Sequence, residues 1–466
     1  MKRTLIKELD THIGETITIQ GWVDVVRDQG KMAFFDFRDR SGLVQGVVFG
    51  KPEVLEVAKT TRPEFVVEVT GIVNKRPEKM INASILNGDI ELEITNITIL
   101  NETVVLPFPI NEDTRIVDEA IRLKYRYLDL RSTRMQKNVK ARHTIQKFIR
   151  DTLTEKDFIE VETPLLSAPT PEGSRSYVVP SRLSPGTFYS LPQSPQQYKQ
   201  LLMVGGFERY FQFARCLRDE DSRGDRQPEF TQLDMELSFV TEEDIMSLNE
   251  QILIELVTKF YPEKRIQQVP FPRMTYHDAM EKHGNDRPDI REDKNDQNLL
   301  AFLWVTDFPA FEKTGQDNVD GTGEWTFTHN PFAKVKDAYL EDFMAGKNVG
   351  NLISTQYDIT LNGYEIGGGS IRNHVSSCQK KTFEIMGYDE VRIIDNFGHM
   401  LTALEFGAPP HGGIAWGFDR LIMILEDEPN IREVIPFAKT GEGKDLMMDA
   451  PAKVNEKQLK ELGIKI

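Results

Sequence analysis

Apolar and polar residues alternate in five short runs near the start of the chain. These are ETITIQGWVDVV from Glu15, MAFFDFRD after Gly30, LVQGVVF after Ser41-Gly42, then FVVEVTGIV and IELEITNITIL. A period of two marks strands that bury one face, and turn residues punctuate each run. Five such strands over 1–105 predict a small closed barrel. Either an OB-fold, which commonly binds single-stranded nucleic acid, or a generic β-domain fits this pattern.

Residues 106–133 interrupt the alternation: VLPFPINED is broken by prolines, and RLKYRYLDLR mixes basic with aromatic residues, as in a hinge or linker. From Arg134 the period lengthens, with Ile145, Phe148, Ile149 and Leu153 at helical spacing ahead of the strand-like FIEVETPLL. Further strands (FERYFQFARCLR, FTQLDMELSFV, YDITLNGYEIGGGSIR) alternate with helical stretches such as IMSLNEQILIELVTKFY. GIAWGFDRLIMIL reads as a helix entered through glycine. Antiparallel strands with segregated helices predict an α+β domain over 134–440, followed by an extension at 441–466. No Walker or GxGxxG loop occurs.

Composition narrows this little. At 466 residues, 39% hydrophobic and 28% charged, the chain reads as a soluble protein of two or three domains. No apolar run approaches the roughly 18 residues of a membrane span, and MKRTLIKELD is unlike a signal peptide. Cys216 and Cys378 offer neither a disulfide framework nor a CxxC metal pair, which points to a reducing, cytoplasmic setting. The net charge of −16 argues mildly against nucleic acid, but charges more than about 10 Å apart are screened, so a local basic strip would decide.

Three blocks carry chemistry. FIEVETPLL, ending at Pro164, reads on its own as core. RCLRDEDSRGDRQPEFTQLDMELSF places Arg218 and Glu220 where an apolar strand enters a charged loop. The loop is either a solvated tip or a place where arginine meets phosphate or carboxylate in a bidentate pair. The third block combines YDITLNGYEIGGGSIR with GIAWGFDRL. Asp358 and Glu365 are an odd number of residues apart, which puts them on opposite faces of one strand unless the Gly363 turn resets the register. With Arg372 and Arg420 they form either an Mg²⁺–polyphosphate site or ion-paired strands.

In order, these blocks resemble the three motifs of class II aminoacyl-tRNA synthetases: helix and strand ending in proline, strand–loop–strand with its arginine, and the helix with Gly417, Asp419 and Arg420. RLKYRYLDLR, TPEGSRSY, LPQSPQQYKQLLM, RDEDSRGDRQPEFTQLD, NGYEIGGGSIR and GAPPHGGIAWGFDRL narrow the resemblance to the aspartyl-tRNA synthetase family, along nearly the whole chain. RDED and the tail IREVIPFAKTGEGKDLMMDAP look bacterial. Bacterial members carry an inserted domain, however, where this chain has only a loop at about 284–300. Its absence is expected to leave the chemistry untouched and puts in question any tRNA contact made by that domain.

The resemblance implies a role for each matching residue. Lys199 and Arg372 would meet the side-chain carboxylate of L-aspartate, and Asp234 and Glu172 its ammonium; Ser194, Gln196, His329 and Arg218 complete that pocket. ATP would be held by Arg218, Asp219, Glu220, Gln227, Glu365, Gly417, Phe418, Asp419 and Arg420. Of these, Arg218 on the α-phosphate and Arg420 on the γ-phosphate would be catalytic, and Asp358 and Glu365 would bind Mg²⁺. Ser222, Arg223 and Arg226 would touch the tRNA acceptor end, while Arg27, Phe34 and Gln45 read the anticodon of tRNA(Asp). Charging of tRNA(Asn) as well is left open, and a homodimer is implied by the block ending at Pro164. Asparagine would leave a buried cation without its counter-charge, costing roughly 3–5 kcal/mol. Lys199 argues against an asparagine ligase, RDED and GSIR against a lysine ligase, and the intact arginines against an inactive paralogue. The barrel argues against a tRNA-independent asparagine synthetase.

Overall fold

A computed structural model describes residues 2–82, 87–169, 173–220, 224–315 and 323–465. It divides into two compact units, Met1–Thr114 and Arg115–Ile466. Among the described residues no helix is long and apolar enough to cross a membrane.

The first unit is a closed barrel of five strands: Thr16–Asp28, Met32–Asp39, Gly42–Phe49, Val66–Lys75 and Ile90–Asn101. The predicted alternation is realised: Ala33, Phe35 and Phe37 are buried in the barrel core, while Phe34, Asp36 and Arg38 lie on its outer side.

In the second unit, the latter part of the expected hinge is folded into two short helices, Glu119–Lys124 and Arg126–Asp129. Its arginines find buried partners there. Arg122 pairs with Glu433 at 2.8 Å, and Arg126 donates to the carbonyls of Ile435 and Pro436 at 2.9 and 3.0 Å. The helix Thr133–Glu155 follows and buries Ile145, Ile149 and Leu153, as its period predicts.

An eight-stranded sheet organises this unit. Its spatial order is Arg273–Thr275, Phe302–Thr306, Gln356–Leu361, Tyr364–Ile371, His411–Gly417, Glu229–Ser238, Arg209–Leu217 and Ile159–Glu160. Neighbours are antiparallel except for the outermost pair at each edge, so the sheet is mixed within the expected α+β class. One face is apolar. Leu233, Met235, Leu237, Ile359, Ile414 and Trp416 pack with Ile149, Leu253, Leu256, Leu421 and Ile422 from three helices. That burial anchors the opposite, polar face.

Candidate active site

Strand register lays the polar face out in rows. One row runs Gln212, Asp234, Ala415, Gly368, Asp358; the next runs Tyr210, Glu236, Gly413, Ser370, Gln356. The centre of each row is small and the flanks are polar, which makes a trough. The small residues are required: a Cβ on Gly368 would sit 2.6 Å from Asp358 Oδ1, and one on Gly413 2.1 Å from Glu236 Oε2. The hairpin turn at Asn362-Gly363 pairs Thr360 with Glu365, which brings Glu365 onto the face shared by Asp358. A bulge then skips Ile366, so Gly368 rather than Gly367 lies opposite Asp358. From that point Ser370 and Arg372, instead of Gly369 and Ile371, share the polar face.

At one end of the trough four buried charges interlock. Lys199 Nζ lies 2.6 Å from Asp234 and 3.2 Å from Glu236, and Arg372 forks onto Glu236 at 3.0 and 3.2 Å while donating to Ser370 Oγ at 2.8 Å. Glu236 is the residue that sequence reasoning missed. The signal was there, because Asp234 and Glu236 alternate with Leu233, Met235 and Leu237 in a stretch buried from Thr231 to Ser238. Burial pushes the Glu236 carboxyl up, but Arg372 and Lys199 outweigh it and hold it below the usual range. Burial raises Asp234 despite Lys199, with Glu236 adding to the rise. Two cations and two carboxylates therefore balance without any ligand. This corrects the expectation that a substrate lacking a carboxylate would leave a cation uncompensated: each cation already has its anion.

Beyond Asp234 a cleft of about 300 Å³ is lined by Arg218, Gln232, Glu365, Gly367, Gly417 and Arg420, among others. Arg218 makes no ion pair with any described residue; its guanidinium lies 5.3 Å over the Phe230 ring and its buried Nε is unpaired. Arg420 donates to the Glu365 carbonyl and, at 3.1 Å, to Asp225. Glu220 takes hydrogen bonds from Ser174 and from Arg226, the latter at 3.1 Å, and Asp219 accepts the Tyr177 hydroxyl. Three expected nucleotide contacts are otherwise committed. Phe418 is core, edge-on to Phe213 at 5.1 Å. The Asp419 carboxylate accepts from Thr231 N at 2.7 Å and from Arg142, and the Gln227 amide bonds both ways to the Lys439 backbone. Gln227 and Asp419 still line the cleft, with their polar groups engaged in these bonds.

Asp358 and Glu365 do converge. Burial, opposed by nearby His329 and reinforced by the Glu365 carboxylate, pushes Asp358 up to about 7. Gln356 Nε2 donates to Asp358 Oδ1 at 2.8 Å. A buried carboxyl that holds a proton for want of a counter-cation fits a divalent-metal ligand. Ser194 opens on a neighbouring cavity with Gln197 and His399. Glu172, Ser222 and Arg223 lie outside the described residues.

Residues 118–441 match the family described as class II tRNA synthetases (D, K and N), and residues 17–100 match an OB-fold nucleic acid binding domain. The aspartate–tRNA ligase of Staphylococcus aureus (strain NCTC 8325 / PS 47) is 37% identical, over 100% of this chain and 99% of the relative. The chain belongs to the aspartate–tRNA ligase family. That alignment runs over 598 positions, 132 more than the 466 residues here, so at least that many positions of the relative lack a counterpart. At the expected site of the missing insertion there is a compact loop, closed by Asp289–Arg291 at 2.8 Å and Arg265–Asp296 at 3.0 Å. Two solved structures share the fold. Asparaginyl-tRNA synthetase from Pyrococcus horikoshii, complexed with asparaginyl-adenylate, has a TM-score of 0.75 at 21% identity, covering 94% of this chain and 98% of that one. Aspartyl-tRNA synthetase from Entamoeba histolytica has 0.73 at 22%, covering 94% and 91%.

Polar groups gather on one outer face of the barrel. Arg27 pairs across strands with Phe34, and Asp36 with Gln45. Arg27 bonds Asp36 at 2.8 Å, and Arg76, which sequence reasoning did not single out, donates to Gln45 Oε1 at 2.5 Å. Phe34 is half-buried among them while its neighbour Phe35 is core.

Proposed function

We propose that Lys199 and Arg372 take the side-chain carboxylate of aspartate, Asp234 takes its ammonium, and Arg218 and Arg420 clamp the triphosphate of ATP. The observation that carries this reading is the buried Lys199–Asp234–Glu236–Arg372 cluster beside the cleft, in which Lys199 bonds Asp234 through Oδ1. Burial still raises the Asp234 carboxyl although Lys199 pairs with it, and a substrate ammonium beside it adds positive charge that favours its ionised form. Asp358 and Glu365 are the residues that would hold Mg²⁺, which when bound neutralises triphosphate charge.

The substrate's α-carboxylate attacks the α-phosphorus in line; a P–O bond forms and pyrophosphate leaves. The nucleophile is already anionic, so no general base is required, and catalysis rests on positioning and on the Arg218 charge. The 3′-terminal hydroxyl of tRNA(Asp) then attacks the mixed anhydride and releases AMP, with Arg226 and its loop toward the acceptor end. Phe34 stacks on an anticodon base beside Arg27 and Gln45. The enzyme works as a cytoplasmic homodimer, paired at the Ile159–Glu160 edge of the sheet. Ile159, Leu165 and Leu166, all exposed there, support this pairing.

The test is pyrophosphate exchange into ATP, expected with aspartate and absent with asparagine or lysine. Exchange that proceeds equally with asparagine would sink the reading. Charging tRNA(Asp) and tRNA(Asn) transcripts side by side reads the tRNA preference.

A further inference from the structure

A line of hydrogen bonds runs from His411 on the central sheet through Gln200 to Gln196. His411, the first residue of the His411–Gly417 strand, is fully buried, with Nδ1 2.8 Å from the Pro409 carbonyl and Nε2 3.0 Å from Gln200 Nε2. Gln200 lies one turn along the Gln196–Val204 helix from Gln196, and Gln196 Nε2 donates to Gln200 Oε1 at 2.9 Å. At the far end, among the described residues, Gln196 Oε1 receives only a long contact, 3.4 Å, from Asn330 Nδ2.

The direction of this line is dictated at its base. A carbonyl can only accept, so His411 Nδ1 carries the ring proton. In a neutral imidazole, Nε2 then only accepts. Gln200 must therefore donate from its NH₂, which turns its oxygen toward Gln196. Gln196 must donate in turn, which turns its own oxygen outward. We propose that His411 and Gln200 are positioning residues: they orient the Gln196 amide so that it offers an acceptor, not a donor, to the substrate's ammonium. Burial holds His411 below the usual imidazole range, against the pull of Glu236 and with Arg372 and His374 adding to the fall, so the ring is neutral at working pH. A protonated ring would donate from Nε2 as well, reversing the Gln200 and Gln196 bonds and presenting N–H groups to an ammonium.

This inference rests on the reading that Gln196 touches aspartate. Its test separates the two ideas. In pyrophosphate exchange, His411→Met should raise the KM for aspartate about tenfold or more, the scale of one lost hydrogen bond to a charged group. KM for ATP and kcat should stay within about twofold. His411→Gln, whose side-chain oxygen can accept from Gln200, should restore the aspartate KM. Gln200→Met should reproduce His411→Met, and serves if that variant does not fold. In the wild-type enzyme, ¹⁵N-histidine spectra should show a neutral His411 protonated at Nδ1. An unchanged aspartate KM in His411→Met, a parallel rise in the ATP KM, failure of His411→Gln to rescue, or a proton on Nε2 would each overturn the proposal. Absence of aspartate-dependent exchange in the wild type would instead remove the functional reading, leaving the spectra to judge the orientation itself.

Discussion

The polar face of the catalytic sheet and the outer face of the barrel carry charge in contrasting ways. On the sheet, Lys199, Asp234, Glu236 and Arg372 are all at least 97% buried and are locked to one another. On the barrel, Arg27 and Asp36 pair at 2.8 Å with both side chains in reach of water. A buried charge stripped of its partner costs roughly 3–5 kcal/mol, whereas an exposed pair contributes about 0–1 kcal/mol. On the proposed reading, amino-acid selection is thus built into a buried network whose members cannot be exchanged singly. On the same reading, nucleic-acid contact rests on partly exposed side chains.

This contrast can be broken at either end. The largest effect is expected for Arg218→Ala, which should lower pyrophosphate exchange on the order of 10²–10³-fold or more while leaving the melting temperature near wild type. Arg218 contributes charge to the cleft but no ion pair among the described residues. Full exchange in that variant would remove it from the mechanism. Glu236→Ala should cost about 3–5 kcal/mol in urea unfolding, because Lys199 and Arg372 both lose a buried partner. A loss under about 1 kcal/mol would mean that the four charges do not act as one unit. Phe34→Ala should weaken tRNA aspartylation about 5- to 150-fold, the equivalent of roughly 1–3 kcal/mol of base stacking, with exchange unchanged. Equal losses in both assays would undo the division of labour between the units. The smallest effect is expected for Asp36→Ala: below about 1 kcal/mol by the same unfolding measurement.

Much of this was legible from local pattern. The period-two runs produced the barrel, and the spacing of Ile145, Ile149 and Leu153 produced the long helix. Lys199, Asp234 and Arg372 were picked out by their motifs, and the structure brings them together. Phe418, Asp419 and Gln227 were less legible, because a motif marks a position without saying where its side chain is spent: on Phe213, on Thr231 N, or on the Lys439 backbone. RLKYRYLDLR read as a hinge because the partners of its arginines, near Glu433 and Pro436, lie some 300 residues away in the chain.

By itself the sequence determined the periods, the elements they encode and the kinds of side chain available, since each depends on neighbours a few residues apart. Tertiary structure decided how those side chains were used. The skipped Ile366 turned Ser370 and Arg372 onto the polar face, and Glu236 came to neutralise cations from a helix and another strand. His411 came to orient Gln196 through Gln200. Strand pairing and charge matching are contacts between distant segments, and no local pattern specifies which of several carboxylates a buried cation will meet.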